Sequence, residues 1–111
     1  MGGENSAAHT SDGTRDLAIE TIFLLSGKWT TRIILALVDR KQRFVALQRD
    51  LPGISHHVLT KELKELQSHG IISRTVYPTT PPSVEYGLTD SGVALCKVLC
   101  VASEWAARYL S

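Results

Sequence analysis

Apolar residues recur at helical spacing in five stretches of this chain and alternate in two, and that pattern lays out its elements. Leu17, Ala18, Ile22, Leu24 and Leu25 predict a first helix over Arg15 to Leu25, ended by Ser26-Gly27. Lys28 to Asp39 predicts a second, with Trp29, Ile33, Ile34, Leu37 and Val38 as its buried stripe. A polar turn over Asp39 to Gln42 follows, and Arg43-Phe44 is expected to add one or two strand residues. Phe44 to Leu51 is a short third helix with Phe44, Leu47 and Leu51 inward. The turn Pro52-Gly53 precedes Ser55, a residue suited to cap a helix. Val58, Leu59, Leu63 and Leu66 then keep helical spacing until Gly70, which supplies a left-handed stop.

Ile71 to Tyr77 alternates as a strand, with Ile72, Arg74 and Val76 on one face. Pro78 to Ser83 reads as a stiff loop, because its three prolines cannot donate to a ladder. Val84 to Leu88 returns as a second strand. Thr89, without Glu or Gln at the capping-box position, opens a long last helix from Asp90 to about Leu110. Four helices, a hairpin with a rigid tip and a final helix give a mainly α chain with a small β-hairpin wing. That is the order of a winged helix-turn-helix with a C-terminal dimerisation helix. Residues 1–14, rich in Gly, Ser, Asn and Thr, are expected to be a disordered arm, and residues 15–111 one domain.

The fourth helix carries His56, His57, Thr60, Lys61, Lys64 and Gln67 on the face its leucines leave free. Hydrogen-bond donors, a methyl group and two cations suit nucleic acid better than a catalytic pocket. The bland alternative is a solvated lysine pair balanced by Glu62 and Glu65, which follow the lysines by one position, about 100° away. The two histidines are adjacent and diverge on a helix, and no thiol or carboxylate sits four residues on, so no metal is expected.

The last helix is apolar nearly all round, with Asp90, Lys97, Glu104 and Arg108 as its charges. A helix on a monomer's surface shows one apolar stripe. This one needs cover on more than one side, and a second copy is the simplest source. The expected homodimer interface comprises Leu95, Leu99, Ala102, Trp105, Ala106 and Tyr109, with Leu17 and Leu24 of the first helix. The alternative is a helix docked on its own core with a greasy outer face.

The 111 residues suffice for one domain with a real core. The formal charge of +1 hides a segregation: nine basic residues against four acids between Lys28 and Arg74, three against seven elsewhere. A basic middle is what a face meeting phosphates requires. No apolar run is long enough to span a bilayer, and no basic start precedes an apolar segment as in a secretory signal, so a cytoplasmic location without membrane contact is expected. Met1-Gly2 with Ser6 fits the short myristoylation pattern, which chance often supplies. Cys96 and Cys100 are by default small buried hydrophobes. Their spacing shapes an intrahelical disulfide poorly, though copies facing across a dimer could bridge, which keeps a redox role open. No nucleophile, base and oxyanion site assemble, and no Gly-rich phosphate loop precedes a helix, so neither an enzyme nor a cofactor is expected.

Three segments, GKWTTRIILALVD at 27–39, RFVALQRDLPGISHHVLTKELKELQSHGII at 43–72 and RTVYPTTPPSVEYGLTDSG at 74–92, together resemble the HxlR family of bacterial, MarR-like winged-helix regulators. The resemblance covers about residues 15 to 110. It implies a dimer that binds a palindromic operator in double-stranded DNA, with the recognition helix, about residues 55–69, in the major groove. By position, Ser55, His56, His57, Thr60, Lys61 and Lys64 carry the reading. Arg74 sits at the base of the wing, residues 77–85, whose Thr79, Thr80 and Ser83 meet the DNA backbone. Two departures stand out. Asp16 takes the place of a cysteine that some members use for redox sensing. Ser83 stands where members often carry a basic residue, which leaves a protein–protein winged-helix module as the rival reading. Family members answer to small-molecule or redox effectors, and the effector here is not written in the sequence.

Overall fold

A computed structural model describes residues 12–110, so residues 1–11 of the expected arm lie outside it. The chain divides into two compact units between Thr31 and Arg32, within the second helix.

In the first unit, α1 spans Asp12–Leu25 and so begins three residues before Arg15, taking in Gly13 and Thr14. The Ser26 amide and hydroxyl both reach back to the Phe23 carbonyl, at 3.3 and 2.8 Å, which tightens and ends the helix. The Thr31 hydroxyl donates to the Leu25 carbonyl at 3.1 Å and satisfies one of the acceptors a helix end leaves open. Leu17, Ile22 and Phe23 are exposed, Phe23 to 74%, while Leu24 and Leu25 are half-buried.

The second helix, α2, spans Thr30–Ala36 rather than Lys28 to Asp39. Its end has a physical cause downstream. The amides of Leu37 and Val38 bond three residues back, to Ile34 and Leu35, and the Gln42 side-chain amide donates to the Ala36 carbonyl at 2.6 Å. Val38, expected in the buried stripe, is therefore beyond the helix and exposed.

Within the second unit the core is a single apolar cluster. It gathers Ile33, Ile34 and Leu37 with Leu47 of α3 (Phe44–Asp50), then Leu51 and Ile54, and Leu59, Leu63 and Leu66 of α4 (His56–Ser68). Ile71 and Ile72 complete it. The ends of α4 are as the sequence pattern sets them: the Ser55 hydroxyl accepts the Val58 amide at 3.1 Å. Gly70, at φ +71°, makes the left-handed turn. The Gly70 amide then bonds the Gln67 carbonyl and the Ile71 amide the Leu66 carbonyl, so two helix-end acceptors are satisfied and buried Ile71 is brought back toward buried Leu66.

Strands β1 (Ile72–Tyr77) and β2 (Ser83–Leu88) pair antiparallel, from Ile72 opposite Leu88 to Tyr77 opposite Ser83. Ser83, expected in the loop, is thus the first residue of the return strand. The short extra pairing falls at Gln42, one residue before Arg43-Phe44: its amide and carbonyl both bond Tyr86, each at 2.8 Å. Gln42 is only 7% exposed, and these bonds together with the one to Ala36 are what allow a polar side chain there.

The last helix, α5 (Asp90–Tyr109), is locked to the end of α4 through Thr89. The Thr89 hydroxyl accepts the Gly92 amide at 3.1 Å while facing the carbonyls of Gly70 and Ile71, and the Thr89 amide donates to Ile71 at 3.0 Å. A Cβ at buried Gly92 would run into the Ile71 carbonyl oxygen and the Leu88 side chain, so the helix can start this close only with glycine there. The element order is that of a winged helix-turn-helix with a C-terminal helix.

Candidate nucleic-acid interface

The geometry of α4 follows from its three buried leucines. At about 100° per residue, Leu59, Leu63 and Leu66 share one side, and His57, Lys61, Lys64 and Ser68 fall on the side opposite. All four of these are exposed. His56 and Thr60 occupy the flank between the two rows. The Thr60 hydroxyl donates to the His56 carbonyl at 2.8 Å, which spends its proton inside the helix and leaves the methyl as its outward feature. Ser55 is exposed, with its oxygen engaged as the cap.

Charge on this face differs in one respect from the sequence expectation. Glu65 does lie about 100° from Lys64, but it is four residues beyond Lys61 and shares its side. Even so, among the described residues no ion pair engages Lys61 or Lys64. Both ammonium groups are open to solvent and available to phosphates.

Arg74 is exposed in mid-strand, opposite Tyr86, and among the described residues no ion pair engages it either. The wing's expected contacts are arranged unequally. Thr79 is exposed, but its hydroxyl donates to the Pro81 carbonyl at 2.7 Å and stiffens the loop. Thr80 is exposed, and Ser83 is half-buried at the foot of β2.

The wing loop does not stand alone. Thr79 to Val84 form one wall of an open groove of about 590 Å³, and Arg43, Phe44 and Val45 at the leading end of α3 form the other. The Phe44 ring lies 4.6 Å from the His56 ring, so this groove adjoins the first turn of α4. Nothing in the apolar periodicity marks Arg43 as a site residue. Its one signal in the sequence was membership of the basic block.

On α5 the expected interface residues divide. Leu95, Leu99 and Ala106 share a side with buried Gly92 and are half-buried within the chain. Ala102, Trp105 and Tyr109 are exposed, and Val98 and Val101, absent from the expected set, join Trp105 in an outward apolar row. The Trp105 and Tyr109 rings pack at 5.8 Å along it, with the Arg108 guanidinium 5.6 Å from the Tyr109 ring. On the helix Cys96 and Cys100 project about 100–180° away from the members of this row. Both are free thiols, and burial pushes the Cys96 thiol up, which favours its protonated, unreactive form. Among the described residues no three His, Cys, Asp or Glu side chains gather as a metal site, and no helix is long and apolar enough to cross a membrane.

Comparison with known proteins agrees with this architecture. The model of the HxlR-like helix-turn-helix family matches residues 24–111. An HTH-type transcriptional regulator of Methanothermobacter thermautotrophicus is 41% identical over 85 residues, covering 77% of this chain and 65% of that protein, so this chain spans just under two thirds of its length. The HTH-type transcriptional regulator YvaP of Bacillus subtilis is 38% identical over 91 residues, 82% of this chain and 84% of that one. Among solved structures, the reduced form of the transcriptional regulator YodB from B. subtilis superimposes with a TM-score of 0.79 at 33% identity, covering 90% of this chain and 94% of that chain.

Proposed function

This chain belongs to the HxlR-like helix-turn-helix family of transcriptional regulators, not enzymes, and we propose that it works in the cytoplasm as a homodimer that binds palindromic operator DNA. The observation that carries this reading is the outward row of α4: His57, Lys61 and Lys64 lie diametrically opposite the buried leucines, exposed and, among the described residues, free of ion pairs.

In the proposed complex α4 enters the major groove. Its first turn, Ser55 to His57, points at base edges with Thr60 behind it, where the Thr60 methyl suits a thymine methyl. Lys61, Lys64 and Arg74 neutralise phosphates, and the wing, through Thr79, Thr80 and Ser83, runs along the backbone. The outward row Val98, Val101, Trp105 and Tyr109 supports dimerisation through α5, and Leu17 and Leu24 are proposed to contribute from α1. A two-fold axis then presents two recognition helices to half-sites one helical turn apart, and an effector acts by changing their separation. The exposed apolar row needs cover on any reading, whereas the basic outer face on α4 favours a polyanion, and DNA is the one that a helix-turn-helix is built to meet.

The test is a titration of labelled duplex, taken from the DNA upstream of this gene, at several salt concentrations. Each neutralised phosphate contributes close to one unit to the slope of log affinity against log salt. Wild-type protein is expected to show a steep slope, and Lys61→Ala to flatten it by about one unit. Binding that is absent or independent of salt would support the protein–protein reading instead.

A further inference from the structure

We infer that the groove between the leading end of α3 and the wing loop seats a stretch of DNA sugar–phosphate backbone, with the Arg43 guanidinium on the phosphate. The inference rests on the DNA-binding reading and extends it to a surface and a residue that the helix and wing do not themselves supply.

Three observations bear on the occupant. The groove's lining mixes two chemistries: Val45, Pro81 and Pro82 offer apolar surface, while Arg43, Thr80 and Ser83 offer a cation and two hydroxyls. A nucleic-acid strand carries both partners for such a lining, an apolar deoxyribose face and anionic phosphates. Arg43 is exposed, and among the described residues no ion pair engages it, so none of them neutralises its charge. Finally, Phe44 forms part of the groove and packs its ring against His56, the first residue of α4. A strand held there passes beside the end of the recognition helix that reaches base edges, where the edge of the major groove brings a phosphate chain. The guanidinium is also the side chain best shaped for a phosphate, presenting a planar fork of donors.

The experiment compares wild type, Arg43→Ala, Arg43→Lys and Lys61→Ala on two duplexes, the DNA upstream of the gene and an unrelated sequence, by fluorescence anisotropy across a range of salt. Arg43→Ala is expected to lower the salt slope by about one unit and to weaken binding roughly eightfold at about 0.1 M salt, by a similar factor on both duplexes. Arg43→Lys keeps the charge and should retain the slope with weaker binding. Thermal unfolding should be unchanged, since the side chain is exposed. An Arg43→Ala slope equal to wild type, while Lys61→Ala lowers it, overturns the groove seat and leaves DNA binding intact. Weaker binding with no change of slope shows an indirect effect and also overturns it. Wild-type protein without salt-dependent binding removes both readings together.

Discussion

Trp105→Ala isolates the proposed dimer interface from the rest of the molecule. Trp105 leaves 55% of its surface uncovered on the outward row of α5, so the fold of the protomer gains little from it. A buried aromatic side chain covers about 150–250 Å², and 55% of the upper figure is roughly 140 Å² open to a partner. At about 25 cal/mol per Å² that surface is worth about 3 kcal/mol, and a two-fold axis uses it twice. If the partner covers only half of it, the pair of substitutions still costs about 3 kcal/mol, a rise of more than a hundredfold in the dimer dissociation constant. Sedimentation equilibrium over a range of protein concentrations reads this directly, with circular dichroism confirming that helix content is kept. A dissociation constant equal to that of the wild type would refute the placement of the interface on this row.

The other expectations are independent of that one. Gly92→Ala pits two effects of opposite sign. Helix propensity favours alanine by about 0.5–1 kcal/mol, whereas the added Cβ meets the Ile71 carbonyl and Leu88 and should cost about 1–3 kcal/mol. Urea denaturation should therefore show net destabilisation, and a more stable variant would mean that α5 does not approach the strand this closely. Burial pushes the Cys96 thiol up, so its thiolate fraction at neutral pH is small and grows only as pH rises through the elevated value. Mass-spectrometric alkylation should label exposed Cys100 before Cys96 at neutral pH, with the Cys96 rate climbing in alkaline buffer. Labelling of Cys96 first at neutral pH would contradict its burial.

How much of this was legible beforehand depends on whether the deciding partner is near in sequence. The ends of α4 were legible, because Ser55 and Gly70 act through residues within five positions. The lengths of α2 and of the loop were not. α2 stops at Ala36 because Gln42, six residues on, takes its carbonyl, and Gln42 is itself held by Tyr86 of β2. No local propensity contains that chain of bonds. Ser83 looked like loop because prolines precede it, yet register with Tyr77 makes it strand. Of the outward row of α4, His57, Lys61 and Lys64 were legible from leucine spacing, whereas half-buried Gln67, expected on that face, turns its amide to the Leu63 carbonyl. The groove partner Arg43 was not, because only the tertiary fold brings the start of α3 to the wing loop. On α5, composition revealed the excess of apolar surface but not which stripe the chain itself covers.

Hydroxyl-radical footprinting of the upstream DNA, with wild-type protein and Lys61→Ala side by side, tests the central proposal most directly. Two recognition helices related by a two-fold axis should protect two half-sites about one helical turn apart, roughly 34 to 36 Å, which appear together as protein is added. Both protections should weaken in parallel for Lys61→Ala. A single protected patch, or a footprint untouched by the loss of Lys61, would contradict a dimer that reads DNA through the outer row of α4.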